Sequence, residues 1–174
     1  MMPRLGLPLL RAPGRMRITQ AFGANPEVYA RFGMQGHNGL DFEVEDGDLV
    51  VAVDDGEVVE VRFDAGGYGV TVKLVHAWGE SRYAHGQRYS APIEFALGHR
   101  VHRGGRVFLA GSTGSAAGPH LHLGLRLRKQ DGSLDYGNAN GLGGWDDPLP
   151  LLREALGLPA EPPLPAKIKK ASGS

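Results

Sequence analysis

Cysteine is absent from this chain of 174 residues, which excludes disulfides and thiolate metal ligands. That absence is compatible with either redox compartment. Long apolar runs are missing as well: nothing approaches the ~18 consecutive apolar residues of a membrane-spanning helix. The opening "MMPRLGLPLLRAPGR" is interrupted at Pro8 and followed by Arg11, Gly14 and Arg15. A secretory h-region needs roughly 7–15 apolar residues and a small-residue cleavage site, so no signal peptide is expected and synthesis is expected to be cytoplasmic. Net charge is also lacking, because 19 basic and 19 acidic side chains cancel. This argues against a nucleic acid or other polyanion held by bulk electrostatics.

Glycine, by contrast, is abundant: 27 residues, where roughly 7% is usual. The glycines punctuate short apolar runs, the pattern of an all-β domain with many tight turns. Strands are expected at Met16–Thr19, Val50–Val53 and Val58–Phe63, the last two separated by the turn signature Asp54-Asp55-Gly56. "GGYGVTVKLVH", "ESRYAH" and "RVFLAG" read as further strands. In "PHLHLGLRLR", steps of two separate Leu121, Leu123, Leu125 and Leu127 from His120, His122, Gly124, Arg126 and Arg128, a strand alternation rather than a helical stripe. One short helix is expected at Pro148–Leu156, stopped by Gly157. The division is an irregular lead-in over residues 1–17, a domain over 18–157, and a tail over 158–174. That tail is proline-rich, then basic, and is expected to be disordered or to tether the chain to an anionic surface.

Seven histidines are present. His76, His99 and His102 lie at strand ends or in basic turns and are expected to be ordinary surface or turn residues. His37 in "GHNGLDF", His85 in "RYAHG", and His120 and His122 in "GPHLHLGL" are more suggestive. A His-x3-Asp pair converges on one ion when the chain bends, and Gly36 and Gly39 permit the bend. His120 and His122 share a strand face. Zinc accepts nitrogen and oxygen donors, three in a hydrolytic site with an open position and four in a closed structural one. Spacing alone would put His37, Asp41, His120 and His122 on one ion, and does not decide between the two arrangements.

"GHNGLDF", then "YAH", then "GSTGSAAGPHLHLGL" resemble, in order, the motifs of the lysostaphin/LytM-type zinc metallopeptidases, a family of glycyl-glycine and peptidoglycan endopeptidases. The likeness extends over Ile18–Leu152, through "VVAVDDGEVVEV", "GGYGVTVKLVH" and "WDDPLPLL". It implies a compact antiparallel β fold, one zinc ion per chain, and His37, Asp41 and His122 as its ligands. His120 and His85 would flank the attacking water, one as general base and the other stabilising the oxyanion or protonating the amine. Gly86, after "YAH", departs from the leucine frequent in the family. The implied substrate is bacterial peptidoglycan, either a D-alanyl–diaminopimelate cross-link or a glycine bridge. The segments 24–36 and 129–147, with Tyr136 and Trp145, are expected to line the groove. "ITQAFGANPEVYARFGMQGHNGLDF" resembles the lead-in of phage-encoded members, so a monomeric phage or prophage lysin acting at the cell wall is expected. The alternative is a non-catalytic binding or activating module of the same fold.

Overall fold

Leu121, Leu123 and Leu125 are wholly buried on one face of the strand that runs His120–Leu127, and the histidines take the other. The rest of the architecture is arranged around that strand. A computed structural model describes residues 3–91 and 96–159. Among them the strands are β1 (Ile18–Gln20), β2 (Leu40–Glu43), β3 (Leu49–Val51), β4 (Gly56–Asp64), β5 (Gly69–Val75), β6 (Gly79–Gly86), β7 (Arg100–Val101), β8 (Arg106–Leu109) and β9 (His120–Leu127). Two single-turn α-helices, α1 (Pro26–Tyr29) and α2 (Leu149–Leu152), accompany them. No helix among the described residues is long and apolar enough to cross a membrane.

The main sheet has seven strands in the order β1-β2-β9-β6-β5-β4-β7, and β3 pairs with β8 in a second sheet. Every pairing is antiparallel, so the fold is the all-β one expected. Register carries the alternation across strands: Leu40, Leu123, Tyr83 and Val72 form one rung, and Leu125, Ser81 and Leu74 the next. These side chains are buried, each large aliphatic one contributing about 1.5–3 kcal/mol. On the opposite face the rungs read Asp41–His122–Ala84, then Gly124–Arg82–Lys73, then Arg126–Glu80–Val75. β3 and β8 add Val50 and Phe108 to the core.

Val50–Val53 and Val58–Phe63 do contain strands, but these do not pair with each other. β3 joins β8 while β4 joins β5 and β7, so the Asp54-Asp55-Gly56 segment passes between sheets. The lead-in is irregular and nevertheless built into the domain. Leu5 and Leu9 belong to the core, Leu9 bridges to Val50, and Gly6 N–H donates to the Val53 carbonyl at 2.7 Å. The regular part of the C-terminal helix is shorter than Pro148–Leu156. Turns follow α2 until Gly157, whose φ of 67° ends them. The expected tail falls, beyond Pro159, outside the described residues.

His76 is a correction. It is no surface residue but 4% exposed, stacked on Trp78 with centroids 4.5 Å apart. Its Nδ1–H donates to the Asp55 carbonyl at 2.8 Å, and its Nε2 is 2.7 Å from the Ser81 hydroxyl. That hydroxyl lies 3.2 Å from the Tyr83 hydroxyl, which accepts from Val53 N–H. This buried polar chain links the two sheets, and burial lowers the pKa of His76.

Candidate metal centre

His37 and Asp41 are separated by a turn that ends at the start of β2, and His122 faces Asp41 directly across the β2–β9 ladder. Three atoms converge as a result. His37 Nε2 lies 2.9 Å from His122 Nδ1 and 3.0 Å from Asp41 Oδ1, and His122 Nδ1 lies 3.1 Å from the same oxygen. All three residues are buried.

The proton inventory suits a cation. Nδ1–H of His37 donates to the Ala21 carbonyl at 3.1 Å, which leaves the lone pair on Nε2. Burial presses the His122 pKa down to about 3. Burial alone would raise Asp41, but the His122 and His37 imidazoles outweigh it and hold the carboxyl well below its ordinary range. At neutral pH the cluster therefore offers one carboxylate and neutral imidazole to a common point. Tetrahedral zinc with donors at ~2.0–2.2 Å would set them about 3.3–3.5 Å apart, a few tenths of an ångström from the spacing present. The residues fit such an ion.

Gly39 makes room for this. A Cβ there would lie 2.6 Å from His122 Cε1 and 2.8 Å from its Nε2. That Nε2 is buried and finds no hydrogen-bond partner among the described residues.

His85 and His120 flank the cluster. His85 sits at the end of β6 with φ of 65°, a conformation uncommon outside glycine and a mark of functional sites. Its Nδ1–H donates to the Thr113 carbonyl at 2.8 Å, and Nδ1–H of His120 donates to the Gly118 carbonyl at 2.9 Å. Both therefore keep a lone pair on Nε2. Their rings are 4.4 Å apart, and His120 Nε2 is 3.8 Å from Asp41 Oδ2. Burial lowers the His85 pKa. All five residues singled out from the motifs are thus gathered at one place, with His120 beside the three-donor cluster rather than in it.

Other contributors carry no chemical signature in the sequence. The Tyr29 ring lies 5.4 Å from His37, and its hydroxyl accepts from Gln20 Nε2. Burial, then the Asp41 charge, pushes its pKa up to about 12. Thr113 ties the strand ends together, accepting from Val70 N–H and donating to the Gly86 carbonyl.

Tyr136 and Trp145 fare differently from one another. Tyr136 is 69% exposed, its hydroxyl donating to Glu80 Oε2 at 3.1 Å. Trp145 is 2% exposed, lying over Gly124 and against the guanidinium groups of Arg82 and Arg126 at 4.1 Å each. It packs the polar face instead of presenting a ring to solvent.

A buried His-Asp-His cluster with two free imidazole nitrogens beside it, on an antiparallel sheet, defines a metallopeptidase-type centre. The chain belongs to peptidase family M23, which matches residues 35–135. It is 34% identical to the peptidoglycan DD-endopeptidase ShyB of Vibrio cholerae over 138 residues, 73% of this chain and 30% of that protein. It is 41% identical to the DD-carboxypeptidase/endopeptidase Mpg of Neisseria meningitidis over 96 residues, 54% and 21% of the two chains. Among solved structures, a zinc-containing peptidase from Vibrio cholerae superposes with a TM-score of 0.58 at 30% identity, covering 72% of this chain and 37% of that one. The lysostaphin catalytic domain of Staphylococcus simulans shares the fold, with a TM-score of 0.63 at 24% identity over 81% of this chain and 95% of that one. The chain spans between about a fifth and a third of the length of the curated relatives it matches.

Proposed function

We propose that this domain is a zinc endopeptidase that hydrolyses peptide bonds of bacterial peptidoglycan. The observation that carries the reading is the convergence of His37 Nε2, Asp41 Oδ1 and His122 Nδ1 within 3.1 Å of one another, with His85 and His120 outside that set. Relatives named as a DD-endopeptidase and as the glycyl-glycine endopeptidase ALE-1 of Staphylococcus capitis support the substrate class.

His37, Asp41 and His122 would hold the zinc. When bound, it supplies a Lewis acid that polarises the scissile carbonyl and makes water acidic enough to attack near neutral pH. The remaining work falls to the protein. His85 and His120, each fixed through Nδ1 to a backbone carbonyl, present Nε2 as a proton acceptor or, once protonated, a donor. One takes the proton of the attacking water, and the other steadies the oxyanion or protonates the departing amine. We extend the reading to a wall lysin of phage type, supported by the lead-in through residue 36. A further support is the likeness to the catalytic domain of the prophage-encoded protein EnpA of Enterococcus faecalis, 26% identical with a TM-score of 0.54.

Single alanine variants test the division of roles. His122→Ala is expected to lose most of the bound zinc, together with release of amino groups from purified peptidoglycan. His85→Ala and His120→Ala are expected to keep the metal and lose about 10²–10⁴-fold in rate. If His120→Ala emptied the site, the division would be wrong.

A further inference from the structure

Beside the metal donors, on the polar face of the main sheet, stands Arg82. Ala84 pairs with His122 and Arg82 with Gly124, so Arg82 lies two residues, about 7 Å, along the strand from the donor rung. Its guanidinium packs against two aromatic rings, with Cζ 4.3 Å from the Tyr68 centroid and 4.1 Å from that of Trp145. Tyr68 is anchored to the centre in turn: its ring is 5.1 Å from that of His122, and its hydroxyl donates to Asn38 Oδ1 at 2.8 Å.

The two rings hold the guanidinium in place, and its five N–H bonds all point outward in its plane. One rung further, Arg126 is also stacked and buried, but its donors are used. They go to the Glu80 carboxylate and to the Gly143 and Gly144 carbonyls. Arg82 has no such partner. It is 8% exposed, its Nε is buried without an acceptor, and no carboxylate among the described residues pairs with it. Lys73, its neighbour across β5, is already matched by Glu60 at 3.1 Å. Burial and the Arg126 charge work against the charge of Arg82, and the Glu60 and Glu80 carboxylates support it without pairing with it, since they bind Lys73 and Arg126. A buried cation with no anion in direct contact is costly. A substrate anion would complete the site, and the Tyr68 and Trp145 rings hold the fork ready for bidentate contact.

We infer that Arg82 is a specificity-determining residue that receives a free substrate carboxylate on the carbon bearing the scissile nitrogen. A D-alanyl–diaminopimelate cross-link presents such a carboxylate, and the interior of a glycine bridge does not. The inference rests on the peptidase reading of the centre and narrows its substrate class.

Two synthetic cross-link peptides, identical except that this carboxylate is free in one and amidated in the other, provide the test. Binding is measured by calorimetry to zinc-loaded His120→Ala protein, in which cleavage is suppressed. The free acid is expected to bind about 10- to 100-fold tighter. Adding Arg82→Met is expected to erase that preference, and Arg82→Lys to keep part of it. Equal affinity of His120→Ala protein for the two peptides, including none for either, would overturn the inference without any change at Arg82. So would an Arg82→Met variant that weakens both peptides by the same factor, since that is the signature of a structural brace. Amine release by the wild type from the same peptides reports separately on the peptidase reading.

Discussion

His37 gives its Nδ1 hydrogen to the Ala21 carbonyl, while His122 turns its Nε2 edge toward Gly39, so the two imidazoles present different ring nitrogens to one point. Gly39 matters because any Cβ would enter the His122 ring and would also lie 2.6 Å from the Leu123 carbonyl oxygen. Gly39→Ala is expected to cost about 1–3 kcal/mol of stability through overpacking and to weaken zinc at least about tenfold. Competition with a calibrated chelator measures the second quantity, and wild-type affinity in the variant would show that the close approach is unimportant. The candidate donors can be named from the sequence, because imidazole and carboxylate at His-x3-Asp and His-x-His spacing advertise their chemistry. Spacing alone also enlists His120, however, and only the family resemblance sets it apart. Arg82, Tyr29 and Ala21 cannot be so named. Each reaches the centre through contacts distant along the chain, and an arginine in "ESRYAH" looks the same whether paired or unpaired.

Strand β9 shows at the level of elements what alternation conveys and what it leaves out. Its leucines identify a core face, and its histidines a shared opposite face, without knowledge of any partner strand. Pairing is non-local and was less accessible: the apolar runs on either side of Asp54-Asp55-Gly56 look like a hairpin and belong to different sheets. The burial of His76 is hidden from the sequence for a related reason. His76 follows β5 at a strand end, where the sequence suggests exposure, yet Ser81, Asp55 and Trp78 enclose it. Its folded-state pKa is lowered by burial, so below the ordinary value of roughly 6.5 the unfolded chain binds the extra proton more readily. The stability contribution is full above that pH and is lost as pH falls through the folded value. Relative to His76→Gln, wild-type stability should therefore decline more steeply between pH 7 and 5, by at most about 1.4 kcal/mol per pH unit. Denaturant melts across that range give the comparison; parallel profiles would mean that His76 does not titrate with unfolding.

For the molecule as a whole, the two faces of the main sheet divide the labour. The inner face, closed by β3, β8 and the lead-in leucines, supplies the core. The outer face aligns the candidate metal donors Asp41 and His122, then Arg82, then the Arg126–Glu80 pair on successive rungs. Rigidity on one side thus positions chemistry on the other, and sites on strands hold geometry better than sites on loops. The central claim is that this face works as a zinc peptidase. Its most direct test is to strip the protein of metal, add zinc back in increments, and follow amino groups released from cross-linked peptidoglycan. Activity is predicted to be absent without metal, to rise in proportion to zinc, and to level off at one ion per chain. Full activity in the stripped protein, or none once one zinc is bound, would contradict the account.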